Sequence, residues 1–357
     1  MLVAPLDWGL GHATRMIPVI KFLHEKGCRV IIAADGLSGR LLKDTFPHTE
    51  FISAPGFPIR YSKQKKWMPW VILLQLPRLA YSLFKEHRWL KKVCRSISVD
   101  LIISDNRPGL FHPRVKSVYI THQLAIQTGN RLTDNWVRTI HYWFINRFSH
   151  CWVPDLQEPD ALAGQLSNPP QPPEIQTSYL GPLSRFEMVS RTDAPTIDIL
   201  LLLSGPEPQR SLFEKRLCEQ IGNMRLNVCL VRGVAPETTI PAYIPEKVEV
   251  HNFVPAEKLN HMILSADWVV CRSGYSSVMD LVKLGQKAVL VPTPGQTEQE
   301  YLAHYLLEKG YFYSEQQDIF NLTQALEKAA RFNGRIQQLD MDGYKRILGS
   351  LISSCAN

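Results

Sequence analysis

"CRSGYSSVMDLVKLGQKAVLVPTPGQTEQEYLAHYLLEKG", residues 271–310, reads as strand, glycine turn, helix, strand, proline-rich loop and helix. Continuous apolar runs such as AVLVP suit strands of a parallel sheet that are buried on both faces. Ser273, Gly274, Ser276 and Ser277 make a small polar turn between the first strand and the helix. A glycine there lets the backbone approach a ligand closely, and the N–H groups at a helix start favour negative charge. The turn can therefore cradle a diphosphate. Asp280 follows one helical turn on, placed to accept from ribose hydroxyls, and Gln299 and Glu300 of GQTEQE can bond sugar hydroxyls. Upstream, LLLSGPEP supplies a second turn, Ser204-Gly205, after a very apolar run.

The same alternation of strand-length apolar runs and amphipathic segments extends over the whole chain, the pattern of parallel sheets covered by helices. Strands are expected at 2–6, 28–35, 50–54, 100–105, 117–121, 150–154 and 177–181, then at 197–205, 227–233, 248–254, 267–274 and 287–293. With 357 residues, 45% of them hydrophobic, the chain has the length of two domains. The expected division is a first lobe over 1–185, a linker at 186–196 (FEMVSRTDAPT), a second lobe over 197–335 and a C-terminal helix over 336–357. From Gly310 onward the chain reads as helical and polar.

Charge is concentrated. Ten of the 40 Lys and Arg residues lie between Arg60 and Arg95, with Glu86 as the one acid among them, while the remainder of the chain is slightly acidic. Such a segment implies an anionic partner. The seven cysteines are scattered without a CxxC pair, which argues against a disulfide framework or zinc knuckle and suits a reducing cytoplasm. Neither HxxH nor HExxH spacing occurs among the eleven histidines, so no metal is expected. Asp340-Met341-Asp342 imitates a metal motif within a polar stretch and reads as solvated surface. No signal-peptide pattern opens the chain, and nothing resembles a nucleic-acid-binding module.

Near the N-terminus, DWGLGHATR (residues 7–15) follows the first strand. Gly9 and Gly11 begin a dinucleotide turn, with Asp35 as the ribose acid, but Thr14 stands where a third glycine allows helix and strand to pack closely. On these residues alone the turn is a cofactor site, a plain strand-to-helix turn, or a reactive site with His12 and Arg15 at its mouth.

The second half resembles the nucleotide-sugar-binding lobe of GT-B glycosyltransferases, and in particular the enzymes that add N-acetylglucosamine in lipid II synthesis, whose C-terminal lobe is of the family 28 type. The resemblance runs through the first glycine turn, THQLAIQTGNRLTDNW (121–136, similar to HEQN…TN), GPLSR (181–185, similar to GNPVR) and HNFVPAEKLNHMILSADWVVCRSG through Glu308. It implies an α/β fold of two Rossmann-like parallel-sheet lobes facing each other across a cleft, a UDP-sugar donor and no cofactor. Phe253 and Val254 match positions that hold uracil, and Tyr275, Ser276 and Ser277 match the turn at diphosphate and ribose. Asp280 matches a ribose-binding glutamate, Gln299 and Glu300 a Gln-Gln pair at the sugar, Arg185 an arginine near the diphosphate, and His12 the histidine of the first glycine loop on the acceptor side. The family's GGTGGH is reduced here to Gly9-Leu10-Gly11-His12, its GGSQGA is SGPEPQ, and Glu300 replaces the second glutamine.

Inverting transfer needs a general base for the acceptor's proton. His12 is the first candidate, with Asp105 (IISDNRPG) and His122 (YITHQ) next, both at strand ends. Fixed helix dipoles and Arg185 would take up the charge of the departing UDP. In RYSKQKKWMPWVILLQLPRLAYSLFKEHRWLKKVCR (60–95), a helical projection puts Arg78, Lys85, Arg88, Lys92 and Arg95 opposite Leu76, Leu79, Leu83 and Leu90, after a basic aromatic patch of Lys65, Lys66, Trp67 and Trp70. Prolines and Arg78 interrupt it too often for a spanning helix, so it fits an element lying on an anionic membrane, or a helix that packs its leucines and solvates its basic face. The expectation is a cytoplasmic enzyme, peripheral at the inner face of the cell membrane, with a lipid-linked or envelope glycan as acceptor. A noncatalytic UDP-sugar-binding subunit and a sugar-nucleotide epimerase are the alternatives; the epimerases' carboxylate-rich site is not evident, and a dehydrogenase would leave the second lobe's turns without a purpose.

Overall fold

The computed structural model describes residues 1–7, 9–56, 68–126, 131–188, 196–222, 224–332, 334 and 339–356. The chain divides into two compact units, Met1–Arg185 with Asp340–Asn357, and Phe186–Leu339. Most of the expected linker, 189–195, lies outside the described residues.

Unit 1 holds seven strands: β1 (Leu2–Pro5), β2 (Ile31–Ala33), β3 (Glu50–Ile52), β4 (Leu101–Asp105), β5 (Lys116–Ile120), β6 (His150–Val153) and β7 (Thr177–Tyr179). They form one sheet in the order β3-β2-β1-β4-β5-β6-β7, with every pairing parallel. Helices α1 (Leu10–Glu25), α2 (Gly36–Thr45), α3 (Met68–Ser96) and α4 (Arg131–Ile145) supply crossovers. Leu2, Val3, Ala4, Ile102 and Ile103 are sealed from solvent, as strands covered on both faces require. Because β1 leaves toward β2 on one side and β4 lies on its other side, the switch point of the sheet falls between β1 and β4. The chain ends of these two strands are where such sheets receive ligands.

Unit 2 repeats the plan with β8 (Ile197–Leu202), α5 (Gln209–Ile221), β9 (Val228–Val231), β10 (Glu249–His251), α6 (Ala256–Leu264), β11 (Ala266–Cys271), α7 (Tyr275–Lys283), β12 (Ala288–Leu290), α8 (Thr297–Glu308), β13 (Tyr313–Ser314) and α9 (Leu322–Arg331). Its parallel sheet runs β10-β9-β8-β11-β12-β13, so its switch point lies between β8 and β11. Ile199, Leu201, Phe213, Leu217, Val270, Val289 and Phe320 form the core, and the Phe213 and Phe320 rings meet edge to face.

Each of the twelve expected strands has its counterpart, and the structure adds β13 where the sequence reads as helical. Tyr313 and Ser314 are only half-buried and carry no aliphatic run. They become a strand because the free edge of β12 pairs with them, Val289 against Tyr313 and Leu290 against Ser314. The final helix, α10 (Gly343–Ala356), belongs with unit 1: Tyr344 packs edge-on against Phe22 of α1, with ring centroids 6.1 Å apart. Gly181 makes that return possible. It has φ +77°, and a Cβ there would stand 2.7 Å from the Asp340 carbonyl oxygen.

Leu201, in the centre of β8, has no exposed surface. Leu201→Ala should cost ~2–5 kcal/mol of unit 2 stability, the range for emptying a packed core position, measured by urea unfolding; a cost within the noise of that measurement would contradict the packing.

Candidate active site

In unit 1 the glycine turn sits at the switch point. Gly9 has φ +141°, a conformation that favours glycine, and caps α1 through its backbone geometry without a side-chain bond. Gly11 lies in the first turn of α1, and Thr14, in the place of the third glycine, is buried and donates its hydroxyl to the Gly11 carbonyl at 3.0 Å. Asp35 is occupied elsewhere: it caps α2 at the Gly36 N–H and accepts from Ser53.

The turn instead delivers His12 and Arg15 to Asp105 at the end of β4 and His122 after β5. Arg15 is buried and centres the group. Its Nε donates to both Asp105 oxygens at 3.0 and 3.1 Å, its Nη2 also reaches Asp105 Oδ1, and its Nη1 donates to His122 Nδ1 at 3.0 Å. His12 Nδ1 lies 3.0 Å from Asp105 Oδ2 and 2.8 Å from Arg15 Nη2. Nδ1 cannot serve both partners at once: carrying the proton it donates to Asp105 and leaves the lone pair on Nε2, and without it Nδ1 accepts from Arg15. In its neutral form His122 carries its proton on Nε2, because its Nδ1 accepts from Arg15. All three candidate bases thus meet in one network, with Asp105 orienting His12 as an acid orients the histidine of a hydrolytic triad.

Burial pushes the His12 imidazole below its ordinary pKa, the Arg15 charge adds to this, and Asp105 opposes both. Burial by itself would raise the Asp105 carboxyl, but Arg15, and after it His12, more than offset this and hold it below the usual carboxylate value. The geometry therefore provides an ionised Asp105 beside a neutral, oriented histidine.

In unit 2 the candidate donor residues gather at the chain ends of the strands. Ser204 and Gly205 follow β8 and Ser273 and Gly274 follow β11, so the two turns flank the switch point. Gly274 caps α7 without a side-chain bond, leaving Tyr275, Ser276 and Ser277 in the first turn; Tyr275 is buried, while both serines and Asp280 are half-buried. The buried Ser273 hydroxyl donates to the Gln299 carbonyl at 2.8 Å, joining this turn to α8. The Gln299 side chain accepts from the Thr293 N–H at 2.9 Å, and Glu300 accepts from the Gly295 N–H at 2.8 Å. In this structure both side chains hold the proline-rich loop. Phe253, after β10, leaves 45% of its surface open next to buried Val254. Arg185 is half-buried at the end of the first stretch of unit 1.

Sequence reading missed the polar frame beneath these loops. Buried Glu214 of α5 accepts from Arg210 at 2.8 Å, from Arg232 at 2.8 Å and from Tyr243 at 2.5 Å, and Arg232 donates onward to Asn252 at 2.7 Å. The loop that presents Phe253 is fixed in this way. Arg210 and Glu214 carry an i,i+4 spacing on α5, but no spacing joins them to Arg232, Tyr243 and Asn252, which only the fold brings to that helix.

The basic segment is partly described. Lys65, Lys66 and Trp67 lie outside the described residues, as do 127–130 of the THQ stretch, and Trp70 lies in α3 with its side chain undescribed. Further along α3, Arg78, Lys85, Arg88, Lys91, Lys92 and Arg95 are exposed and Leu90 is buried. Glu86, the segment's one acid, points inward to Arg107, whose Nη2 donates to it at 2.9 Å. The outer face is therefore uniformly basic, with exposed Tyr81 and Phe84 among the cations. Exposed Trp136 and Trp143 of α4, which the sequence reading did not single out, stand in the same unit; Arg147 stacks on Trp143 and reaches Phe111, itself stacked on His87 of α3. Among the described residues no helix is long and apolar enough to cross a membrane.

Asp340 and Asp342 pair with Arg346 and Lys345 of α10. Among the described residues, Cys229, Glu249 and His251 have metal-ligand spacing, but burial pushes the Cys229 thiol up to about 12 and His251 already bonds Glu249 at 2.7 Å.

The fold is GT-B, two Rossmann-type units in one chain. The calicheamicin glycosyltransferase CalG4 superposes over 99% of this chain and 97% of its own with a TM-score of 0.64 at 14% identity, and the MurG of Acinetobacter baumannii over 99% and 98% with 0.57 at 14%. Within that fold, residues 209–343 match the glycosyltransferase family 28 C-terminal domain. An uncharacterized glycosyltransferase of Methanosarcina acetivorans is 27% identical over 135 residues, 37% of this chain and 35% of that protein. The UDP-N-acetylglucosamine–N-acetylmuramyl-(pentapeptide) pyrophosphoryl-undecaprenol N-acetylglucosamine transferase of Pseudomonas entomophila is 32% identical over 145 residues, 40% of this chain and 38% of that protein. The matched stretch spans little more than a third of these relatives.

Asp105→Asn should lower the His12 pKa further, because the carboxylate is the one charge in the cluster that favours imidazolium. It should also destabilise unit 1 by ~3–5 kcal/mol, as Arg15 is left buried and unpaired. Imidazole NMR titration with urea unfolding checks both, and a raised His12 pKa would contradict the assigned geometry.

Proposed function

We propose that this chain is a glycosyltransferase that moves a sugar, N-acetylglucosamine or a related hexosamine, from UDP onto a lipid-linked or cell-envelope acceptor with inversion at the anomeric carbon. The observation that carries this reading is the Asp105–His12 pair, centred by Arg15 and set beside the first glycine turn. His12 Nε2 takes the proton of the acceptor hydroxyl as its oxygen bonds to the anomeric carbon, and the bond from that carbon to UDP breaks. Asp105 stabilises the resulting imidazolium, so the proton is held without a second ionisable group entering the reaction. The departing diphosphate meets the N–H groups and the Ser276 and Ser277 hydroxyls at the start of α7, with Arg185 as the cation. Phe253 and Val254 take the uracil, Asp280 the ribose, and Gln299 and Glu300 the sugar once their loop bonds exchange for ligand bonds. Similarity of residues 209–343 to a family 28 C-terminal domain supports the donor assignment. No step calls on a metal ion.

Because His12 must be neutral to act and its pKa is depressed, activity should persist below the ordinary histidine value and fall only as pH drops through the lowered one. His12→Ala should reduce turnover by ~10²–10⁴ while UDP still stabilises the protein in a thermal-shift assay. Loss of both would give His12 a structural role, and stabilisation by NAD with none by UDP or UDP-sugars would retire the donor reading. UDP release from UDP-sugars only in the presence of a lipid acceptor separates a transferase from a noncatalytic binding subunit.

The same reading places the protein peripherally on the inner face of the cell membrane, where the exposed cations of α3 meet anionic headgroups and Tyr81, Phe84, Trp136 and Trp143 enter the interface. Joint replacement of Lys65, Lys66, Arg78 and Lys85 by Gln should release the protein from vesicles containing phosphatidylglycerol. Unchanged sedimentation with those vesicles would retire the membrane assignment.

A further inference from the structure

Arg272 is a guanidinium with 1% of its surface exposed, and among the described residues no carboxylate forms an ion pair with it. Its partners are neutral oxygens. Nη1 donates to the carbonyls of Val291 and Pro292 at 3.3 Å each, and Nη2 donates to the Gln209 carbonyl at 3.0 Å and to Gln317 Oε1 at 2.6 Å. Gln317 in turn donates to the Gln209 side chain at 2.9 Å, and the guanidinium carbon lies 4.4 Å from the centre of the Phe213 ring. Nε has no hydrogen-bond partner.

Two consequences follow from this arrangement. One side chain ties together the start of α5, the loop after β12 and the turn after β11, which is its own position in the chain. Ser273 and Gly274 follow Arg272 directly, Ser204 and Gly205 lie in the loop that leads into α5, and the loop after β12 is the one that Gln299 and Glu300 of α8 hold. The second concerns charge. Carbonyl dipoles and a ring face solvate a cation without neutralising it, so a full positive charge remains in a weakly polarisable interior next to the turn that opens α7. Keeping such a charge buried is unfavourable for folding. Arg210 and Arg232 of the same unit share buried Glu214, so the missing counter-ion at Arg272 is a local property and not a habit of this sheet.

We infer that Arg272 is a positioning residue of the donor site whose missing counter-ion is the diphosphate of the sugar nucleotide: it fixes the three loops and lends them a buried positive charge. This rests on the donor assignment to unit 2. The ligand's charge should then set how much affinity depends on Arg272, since a field acts on phosphate groups and not on the nucleoside.

The test is binding of uridine, UMP and UDP to the full-length wild type, Arg272→Met and Arg272→Lys by calorimetry, with circular dichroism to confirm folding. Arg272→Met should lose ~10-fold or more in UDP affinity, an intermediate factor for UMP and less than ~2-fold for uridine. Arg272→Lys keeps the charge and loses the fork, so it should retain the wild type's preference for UDP over uridine while turnover falls as the loops loosen. Equal losses for all three ligands in Arg272→Met, or an unchanged UDP affinity in that variant, would overturn the inference. Should Arg272→Met not fold, the neutral and polar Arg272→Gln takes its place: a larger loss for UDP than for uridine supports the charge role, and equal losses refute it. Failure of the wild type to bind UDP refutes the donor assignment instead, which keeps the two failures distinct.

Discussion

The contact on which unit 1 depends is the buried pair of Arg15 and Asp105. Neither side chain meets solvent, so each charge is tolerated only because the other is within hydrogen-bond distance. The pair forms because β1 and β4 are neighbours in the sheet although 90 residues separate the two side chains in sequence. Once it exists, everything near it is constrained: Arg15 fixes the tautomer of His122, and Asp105 and Arg15 together hold the His12 ring by its Nδ1. A rigid ionic centre thus holds both histidine rings beside the glycine turn.

Both units use the same strand order around a switch point, and they use it for different chemistry. Unit 1 fills its switch point with ionised side chains. Unit 2 surrounds its own with backbone: two glycine turns, an uncapped helix start and a loop clamped by Gln299 and Glu300. Beneath those loops lie two buried frames, one neutralised at Glu214 and one cationic at Arg272. Backbone groups and fixed charges need no reorganisation when negative charge develops on a ligand, which suits a donor that leaves as a diphosphate.

The surface of unit 1 shows how burial edits a charge pattern. Read as sequence, the stretch from Arg60 to Arg95 is a basic run relieved by one glutamate. Folding removes that relief. Glu86 turns inward to Arg107, which also donates to the Pro5 carbonyl at 3.5 Å, and burial raises the Glu86 carboxyl while Arg107 opposes the shift. What faces outward on the described part of α3 is cations and aromatic rings, a composition that attracts anions and tolerates an apolar boundary.

By itself the sequence determined the parallel-sheet class, all but one of the strands, and the types of residue at the two glycine turns. These follow from apolar period and turn chemistry, which are local and survive in one dimension. It also indicated His12 of the first glycine turn, and Asp105 and His122 at strand ends, as separate candidates. Only the tertiary structure made them one network, because hydrogen bonds from a helix to a strand end 90 residues away leave no periodic trace. The same holds for β13, whose two residues become a strand only against the edge of β12, for α10, which returns to the first unit through Gly181, and for Arg272. A guanidinium reads as surface in a sequence; here carbonyl oxygens from distant loops replace its water, and only the folded chain brings them to one point.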